Sequence, residues 1–508
     1  MPLMYCHAKL KNISQHTVIS AHLFLPDYSP MNRDSFYPAI ACFPLLLMLA
    51  GCAPMHETRQ ALSQQTPAVQ VDTALPTALK NGWPDSQWWL EYHDDQLTSL
   101  INNALQNAPD MQVAEQRIQL AEAQAKAVAT QDGPQLDFSA DMERQKMSAE
   151  GLMGPFALND PAAGTTGPWY TNGTFGLTAG WHLDIWGKNR AEVTARLGTV
   201  KARAAEREQT RQLLAGSVAR LYWEWQTQAA LNTVLQQIEK EQNTIIATDR
   251  QLYQHGITSS VEGVETDINA SKTRQQLNDV AGKMKIIEAR LSALTNHQTK
   301  ALKLNPVALP KVASQLPDEL GYSLLARRAD LQAAHWYVES SLSTIDAAKA
   351  AFYPDINLMA FLQQDALHLS DLFRHSAQQM GVTAGLTLPI FDSGRLNANL
   401  DIAKAESNLS IASYNKAVVE AVNDVARAAS QVQTLAEKNQ HQAQIERDAL
   451  RVVGLAQARF NAGIIAGSRV SEARIPALRE RANGLLLQGQ WLDASIQLTG
   501  ALGGGYKR

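Results

Sequence analysis

Four short segments of the chain alternate apolar and polar residues at every step. In the first, Leu136, Phe138, Ala140 and Met142 share one face, against Asp137, Ser139, Asp141 and Glu143. In the second, Phe175, Leu177, Ala179, Trp181, Leu183 and Ile185 stand opposite Thr174, Gly176, Thr178, Gly180 and His182. Two further rows follow later in the chain: Ile356, Leu358, Ala360 and Leu362, then Val382, Ala384, Leu386, Leu388 and Ile390 opposite Gly381, Thr383, Gly385 and Thr387. A period of two places one face of a strand in an apolar medium and the other in water. Segments of about ten residues also suit tilted strands that cross a bilayer. A two-faced sheet on a soluble core has the same period, but nearly everything else in this sequence reads as helix and leaves little sheet to pack against. The links inside each strand pair, Gly151 to Asn172 and Asp365 to Gln379, have the composition of surface loops.

Each strand pair runs into a long polar helix. From Lys188 to Tyr253 there is no proline and almost no glycine, and Arg395 to Phe460 is similar. A helix of about 65 residues is roughly 100 Å long, more than one globular core requires. Leu231, Ile238, Ile245 and Leu252 recur at heptad spacing, the period of a coiled coil. Elsewhere Ala, Gln, Ser and Thr fill the helix faces, as suits a wall wetted on one side. A solvated coiled-coil stalk accounts for the helices but not for the strand pairs. Four strands cannot close a barrel, and a bare strand edge in lipid leaves backbone groups unpaired at several kcal/mol each. If the strands span a membrane, copies must associate. Two copies give eight strands and three give twelve, and a channel wide enough for solutes favours three.

The pattern is written twice. Thr178-Ala179-Gly180-Trp181 through Gly187-Lys188 matches Thr383-Ala384-Gly385-Leu386 through Gly394-Arg395. The turns after the long helices also match. Tyr253 precedes Gly256 as Phe460 precedes Gly463, Glu265 follows the first glycine at the distance at which Glu472 follows the second, and each glycine suits a helix C-cap. Asp110-Met111-Gln112 answers to Asp330-Leu331-Gln332, and Gly133-Pro134 to Tyr353-Pro354.

The N-terminal region carries an address. An apolar run from Phe36 to Ala50 ends in Leu49-Ala50-Gly51-Cys52. It is short for a membrane helix, and small residues before a cysteine match a bacterial lipoprotein cleavage site. Cys52 is then the lipidation residue, taking diacylglycerol on its thiol and a palmitoyl group on its amine. Ala53, rather than Asp, implies sorting to the Gram-negative outer membrane. Met31 is the more natural start. The organisation is therefore an upstream extension at 1–30, a signal peptide at 31–51 and a lipid-anchored segment at 52–95. A first repeat at 96–300 contains the strand pair 135–186, a connector occupies 301–320, and a second repeat at 321–508 contains the strand pair 355–391.

Composition excludes several classes. The net charge of −4 argues against a nucleic-acid partner. Of three cysteines, Cys6 and Cys42 precede the cleavage site, so disulfides contribute nothing to the mature chain. No catalytic constellation, phosphate loop or metal-ligand spacing stands out. An enzyme is not expected, nor any cofactor beyond the covalent lipid.

Taken together the residues resemble a known family, the TolC-like outer-membrane factors, in their lipoprotein (NodT-type) branch of multidrug efflux channels. Trp88-Trp89 with Leu97-Thr98-Ser99-Leu100-Ile101 resembles that branch's opening. Ser323-Leu324-Leu325-Ala326-Arg327-Arg328-Ala329-Asp330-Leu331 resembles its central signature, with Ala329 where proline is usual. Phe352-Tyr353-Pro354, Leu388-Pro389-Ile390-Phe391-Asp392 and Ala501-Leu502-Gly503-Gly504-Gly505 complete the match, which covers about residues 50 to 506. The resemblance implies a mainly α fold with membrane β-structure. A homotrimeric twelve-stranded barrel, four strands per chain, would continue into a periplasmic helical barrel. It further implies a passive, gated conduit in a tripartite efflux system, with a periplasmic membrane-fusion adaptor and an inner-membrane pump as partners. An exit duct for secreted peptides or proteins, and a structural lipoprotein without a pore, are the alternatives.

The resemblance also nominates residues. In TolC, acidic residues six and nine positions after the second tip glycine form a constriction. Here those positions hold Arg469 and Glu472, and the first repeat offers Glu262 and Glu265. These four are the candidate periplasmic gate, although a cation at 469 departs from an all-acidic ring and the residues equally suit solvated helix ends. An Arg469–Glu472 pair one turn apart can bridge locally or between protomers. Tyr253, Gly256, Phe460 and Gly463 mark the adaptor-docking tips, the two aromatics more suited to packing the turn than to meeting substrate.

Overall fold

The computed structural model describes residues 55, 62–64, 83–148, 150, 169–257, 260–296, 302–311 and 326–506. All lie in the compact unit that begins at residue 53. Cys52, the signal peptide and the upstream extension fall outside them, as do the greater part of the first hairpin loop and the second half of the connector.

The elements in chain order are a 3-10 turn Trp88–Tyr92, α1 Asp95–Asn107, α2 Pro109–Ala129, β1 Gln135–Lys146, β2 Trp169–Leu183, α3 Lys188–Gln254, α4 Ser260–Leu294, α5 Ala329–Ala350, β3 Asp355–Ala366, β4 Gln378–Thr387, α6 Arg395–Asn461 and α7 Gly467–Ala501. The two long helices have 67 residues each, and the returning helices α4 and α7 have 35 each. Among the described residues, no helix is long and apolar enough to cross a membrane.

The four strands make one antiparallel sheet in sequence order, with β1 and β4 at its edges. The register keeps like with like. Phe138, Leu177, Leu362 and Met380 form one cross-strand row, and Leu136, Ala179, Ala360 and Val382 the next. The opposite face carries Asp137, Thr178, Phe361 and Gly381 in one row and Asp141, Thr174 and Asp365 in another. The apolar side chains are not covered: Val382 is 82% exposed, Met142 70% and Phe138 66%. An apolar sheet face left this bare is suited to a non-aqueous surround.

Each strand continues a helix, and the order of the helices repeats the order of the strands. α3 packs between α2 and α4 on one side and α5 and α7 on the other, and α6 lies beyond α5 and α7. α2 runs toward β1 and α4 runs back from the far end of α3, so two shorter helices accompany one long one. The chain thus forms a four-strand, four-column slab with two open edges, one at β1, α2 and α4, the other at β4 and α6.

The slab is held at mid-height by two cores. Trp89, Leu97, Ile101, Val218, Tyr222, Leu291, Leu492 and Ile496 build one. Leu331, Val338, Ile411, Val418, Val425 and Leu498 belong to the other. Fully burying an aliphatic side chain of this kind contributes about 1.5–3 kcal/mol. The connector is strapped to the helices by glutamines. Gln226 donates to Asn305 O at 2.9 Å and accepts from Val307 N at 2.8 Å, and Gln488 donates to Pro310 O at 3.1 Å. At Gly503 an added Cβ would collide with the carbonyl of Arg327, so the C-terminal glycines allow the chain end to close against the start of the second repeat.

The structure corrects the sequence match between the two copies. Gly187 answers to Gly394, Gly256 to Gly463 and Glu265 to Glu472 at one constant spacing. At that spacing Gly180 answers to Thr387, and the ladders agree, because each pairs with the first residue of the strand before it, Gln135 or Asp355. The matching Thr-Ala-Gly letters are therefore two residues out of structural step. Trp181 answers to Leu388, not Leu386, and Trp186 to Ser393. Because the side-chain period is two, such a slip keeps the apolar face intact, which is why the letters mislead.

Candidate functional site

Three zones of the slab bear on function: the polar face of the sheet, the strand-to-helix junction and the helix-hairpin tips. On the polar face the carboxylates Asp137, Asp141, Glu143, Asp355 and Asp365 point to one side, with no lysine or arginine among the strand residues of that face. Phe361 also lies there, its ring over Gly381, where a Cβ would come within 2.8 Å. A lumen lined this way attracts cations.

At the junction each long helix starts from a glycine in the left-handed region, Gly187 at φ 76° and Gly394 at φ 84°. A carboxylate caps each start. Asp184 accepts from Asn189 N at 3.1 Å and Arg190 N at 3.0 Å, and Asp392 accepts from Gly394 N at 3.0 Å and Leu396 N at 2.8 Å. These bonds satisfy orphan helix donors and place negative charge at the positive dipole end. Burial pushes the Asp184 carboxyl upward, but the two N–H donors and the Arg190 guanidinium outweigh it and hold the group below its ordinary value. Between the repeats, Trp186 stacks on Tyr353 with ring centroids 5.0 Å apart and donates to Pro354 O at 2.8 Å.

The tips are matched turns. Ile257 N donates to Leu252 O and Gly256 N to Tyr253 O, both at 2.9 Å; Ile464 N donates to Arg459 O and Gly463 N to Phe460 O, also at 2.9 Å. This crossed pair of bonds is the Schellman motif, and it demands a left-handed residue, supplied by Gly256 at φ 69° and Gly463 at φ 73°. Phe460 lies on the backbone of Gly467, where a Cβ would stand 3.5 Å from its ring. Tyr253 is exposed.

Of the candidate gate residues, Arg469 and Glu472 meet, Nη1 to Oε2 at 2.7 Å, within α7. Glu265 is exposed on α4, in the other hairpin. The side chain of Glu262 is outside the described set. Sequence reasoning missed a polar residue that joins the hairpins near their tips. Arg474 on α7 reaches Glu241 Oε1 on α3 at 3.2 Å and Gln457 Oε1 on α6 at 3.3 Å. Its signal was faint: an arginine where the first repeat has Asp267, two residues before Pro476, which sits inside α7. Proline removes an intrahelical hydrogen bond and weakens a helix at that point. The other described ion pair from α7 to α3, Arg220 with Asp493, lies far from the tip at mid-height. There Arg328, largely buried, pairs with Asp330 at 2.7 Å and reaches Asp424 at 3.7 Å. Burial acts to lower its pKa, and the two carboxylates more than compensate, holding the guanidinium charged.

A strand slab with an apolar outer face, continued helix by helix into a polar wall about 100 Å long, defines a subunit of a membrane conduit. Known proteins agree. The family model described as "Outer membrane efflux protein" matches residues 100–297 and 320–504, one stretch on each repeat. The chain is 98% identical over 478 residues to the multidrug resistance outer membrane protein MdtQ of Escherichia coli O157:H7, covering 94% of this chain and 100% of that relative. It is 36% identical over 466 residues to the multidrug resistance outer membrane protein MdtP of Shigella flexneri, covering 91% and 94%. Among solved structures, the Campylobacter jejuni CmeC outer membrane channel superposes with a TM-score of 0.76 at 19% identity, covering 90% of this chain and 95% of that one. The Vibrio cholerae outer membrane protein VceC gives 0.70 at 25% identity, covering 84% and 100%. The chain belongs to the outer membrane efflux protein family, and its role is that of an efflux channel in the outer membrane.

Proposed function

We propose that three copies of this chain close into a passive, gated conduit that carries drugs or other toxic small molecules out of the cell, as the outer component of a tripartite multidrug efflux system. The observation that carries this reading is the coincidence of open edges: sheet and helical wall end at the same two columns. A further copy set edge to edge satisfies both at once. Three copies supply twelve strands, and the acidic face of the sheet becomes the lumen.

The tips of α3–α4 and α6–α7 face away from the sheet and are suited to a periplasmic adaptor, itself joined to an inner-membrane pump that supplies the energy. Cys52 carries the lipid that anchors each chain to the outer membrane. Arg469, Glu472, Glu262 and Glu265 are proposed as the charged constriction near the tips, with the Arg474–Glu241 bond holding the second hairpin against the first.

The test is made in cells lacking their own efflux channels. Expression of the chain raises the drug concentration needed to stop growth, and a photo-cross-linker at Tyr253 or Phe460 captures a periplasmic adaptor. Unchanged drug sensitivity with the chain present in the outer membrane contradicts the efflux role. Cys52→Ala abolishes lipid labelling; label that persists refutes the anchor.

A further inference from the structure

The internal repeat reports how one copy meets the next. Within the chain, the first repeat ends at β2 and α3 and meets the second repeat at β3, α5 and α7. If copies form a ring, the reading on which this inference rests, the second repeat's β4 and α6 meet the next copy's β1, α2 and α4. The seam inside the chain is then a template for the seam between chains.

Burial supports the correspondence. α3 has neighbours on both sides and α6 on one. Residues buried on α3 but bare on α6 therefore mark the side where α6 lacks a neighbour. Ala195 is 8% exposed and Ala202 0%, against 55% at Ile402 and 68% at Leu409, their counterparts. Nearer the tip, Ile238 is 3% exposed and Ile245 6%, against 46% at Ile445 and 56% at Val452. Both pairs on α6 keep heptad spacing, so each makes a stripe on one helix face. The Ser340 hydroxyl donates to Ala195 O at 2.7 Å, which places the template stripe against α5. The counterpart of Ser340 is Leu120, itself exposed, so an apolar contact replaces a polar one.

The strands fix the register. β2 pairs with β1 as far as Gly180, then continues through Trp181, His182 and Leu183 with β3 alone, opposite Leu358, Asn357 and Ile356. β4 pairs with β3 as far as Thr387, the counterpart of Gly180, and the strand stops there. Leu388, Pro389 and Ile390 answer to the three extra residues of β2 and have no strand to continue against. The counterparts of Leu358, Asn357 and Ile356 on β1 are Phe138, Asp137 and Leu136.

We propose that β4 is completed by the next copy, with Leu388 opposite Phe138, Pro389 opposite Asp137 and Ile390 opposite Leu136, and with Thr387 opposite Ser139 across the seam. This register keeps the apolar face continuous. It also assigns Pro389: only alternate residues of an antiparallel strand hydrogen-bond to a given neighbour, so Leu388 and Ile390 make the bonds and the proline sits between them. Thr387 and Ser139 are then a non-hydrogen-bonded pair, with Cα atoms about 4.5 Å apart, within the range that a disulfide spans. The register that the matching letters imply is two residues different and sets Thr387 opposite Asp137.

The full-length chain carrying Thr387→Cys with Ser139→Cys is compared with one carrying Thr387→Cys with Asp137→Cys, each oxidised with copper phenanthroline in native membranes. Native mass measurement reports the assembly independently. The proposal predicts a covalent trimer from the first pair, with at least tenfold less from the second. Cross-linking by the second pair alone overturns the register and leaves the ring standing. No cross-link from either pair in an intact trimer overturns the edge pairing itself. A monomer by mass overturns the ring reading and this inference with it.

Discussion

Arg474 ties the second helix hairpin to the first, its guanidinium reaching Glu241 of α3 across 3.2 Å while also holding Gln457 of α6. Glu241 is only 17% exposed at its side chain and Arg474 43%, so the pair is partly shielded from screening. Two residues on, Pro476 weakens α7. The tip segment of α7 is thus attached through a bond that can break and a helix that can bend.

If this bond restrains the tip, Arg474→Ala opens it. Removing a partly exposed pair shifts the balance by about 1 kcal/mol, or roughly fivefold in the open population. Channel conductance and leakage of large antibiotics should both rise. Glu241→Gln should do the same, and the double variant should add little to either, since the partners act as one unit. Additive effects would show that the two residues act separately.

Arg469 plays a different part. Its bond to Glu472 stays within α7 and neutralises a carboxylate at the candidate constriction. Arg469→Ala leaves that acid uncompensated, so single-channel cation current should increase while the Arg474–Glu241 bond stays in place. An unchanged current removes Arg469 from the gate.

The sheet face carrying Asp137, Asp141 and Glu143 should select cations. Replacing them together by Asn, Asn and Gln should lower the cation-to-anion permeability ratio severalfold, measured as the reversal potential in a salt gradient. The effect should shrink at high salt, where the Debye length falls to about 3 Å at 1 M. A ratio that does not move would place selectivity elsewhere along the conduit.

The junction should respond to acid. The Asp184 carboxyl is held below its ordinary value of 3.8 in the folded chain, so its contribution is complete above that value and is lost as pH falls through the folded pKa. Asp184→Asn keeps an acceptor but removes the charge, and should cost up to about 1 kcal/mol, the worth of a carboxylate near a helix N-terminus. The difference in unfolding temperature between variant and parent should be full at pH 7 and close below about pH 3.8. A gap that persists at pH 2 would show that the charge of Asp184 is not what matters.

Much of this architecture was legible because it rests on periodicity. Alternation over Leu136 to Met142 and heptads from Leu231 to Leu252 survive any detail of packing, and a glycine closing a helix, as at Gly256 and Gly463, is demanded by backbone geometry. What was not legible depends on partners distant in sequence. Arg474 looks like any solvated helix arginine until Glu241 is placed beside it. The strand register was misread because a two-residue slip preserves every apolar position, and only the pairing of Thr387 with Asp355 exposes it. β4 also stops at Thr387 although the alternation runs to Ile390, because a strand needs a neighbour as well as a pattern.

The central claim is that this chain closes with its own copies into a conduit, and the most direct measurement is the current through purified protein in a planar lipid bilayer. The account predicts discrete, cation-selective conductance steps from a species whose native mass is three chains. Helical, correctly folded protein that remains a single chain and passes no current would contradict it.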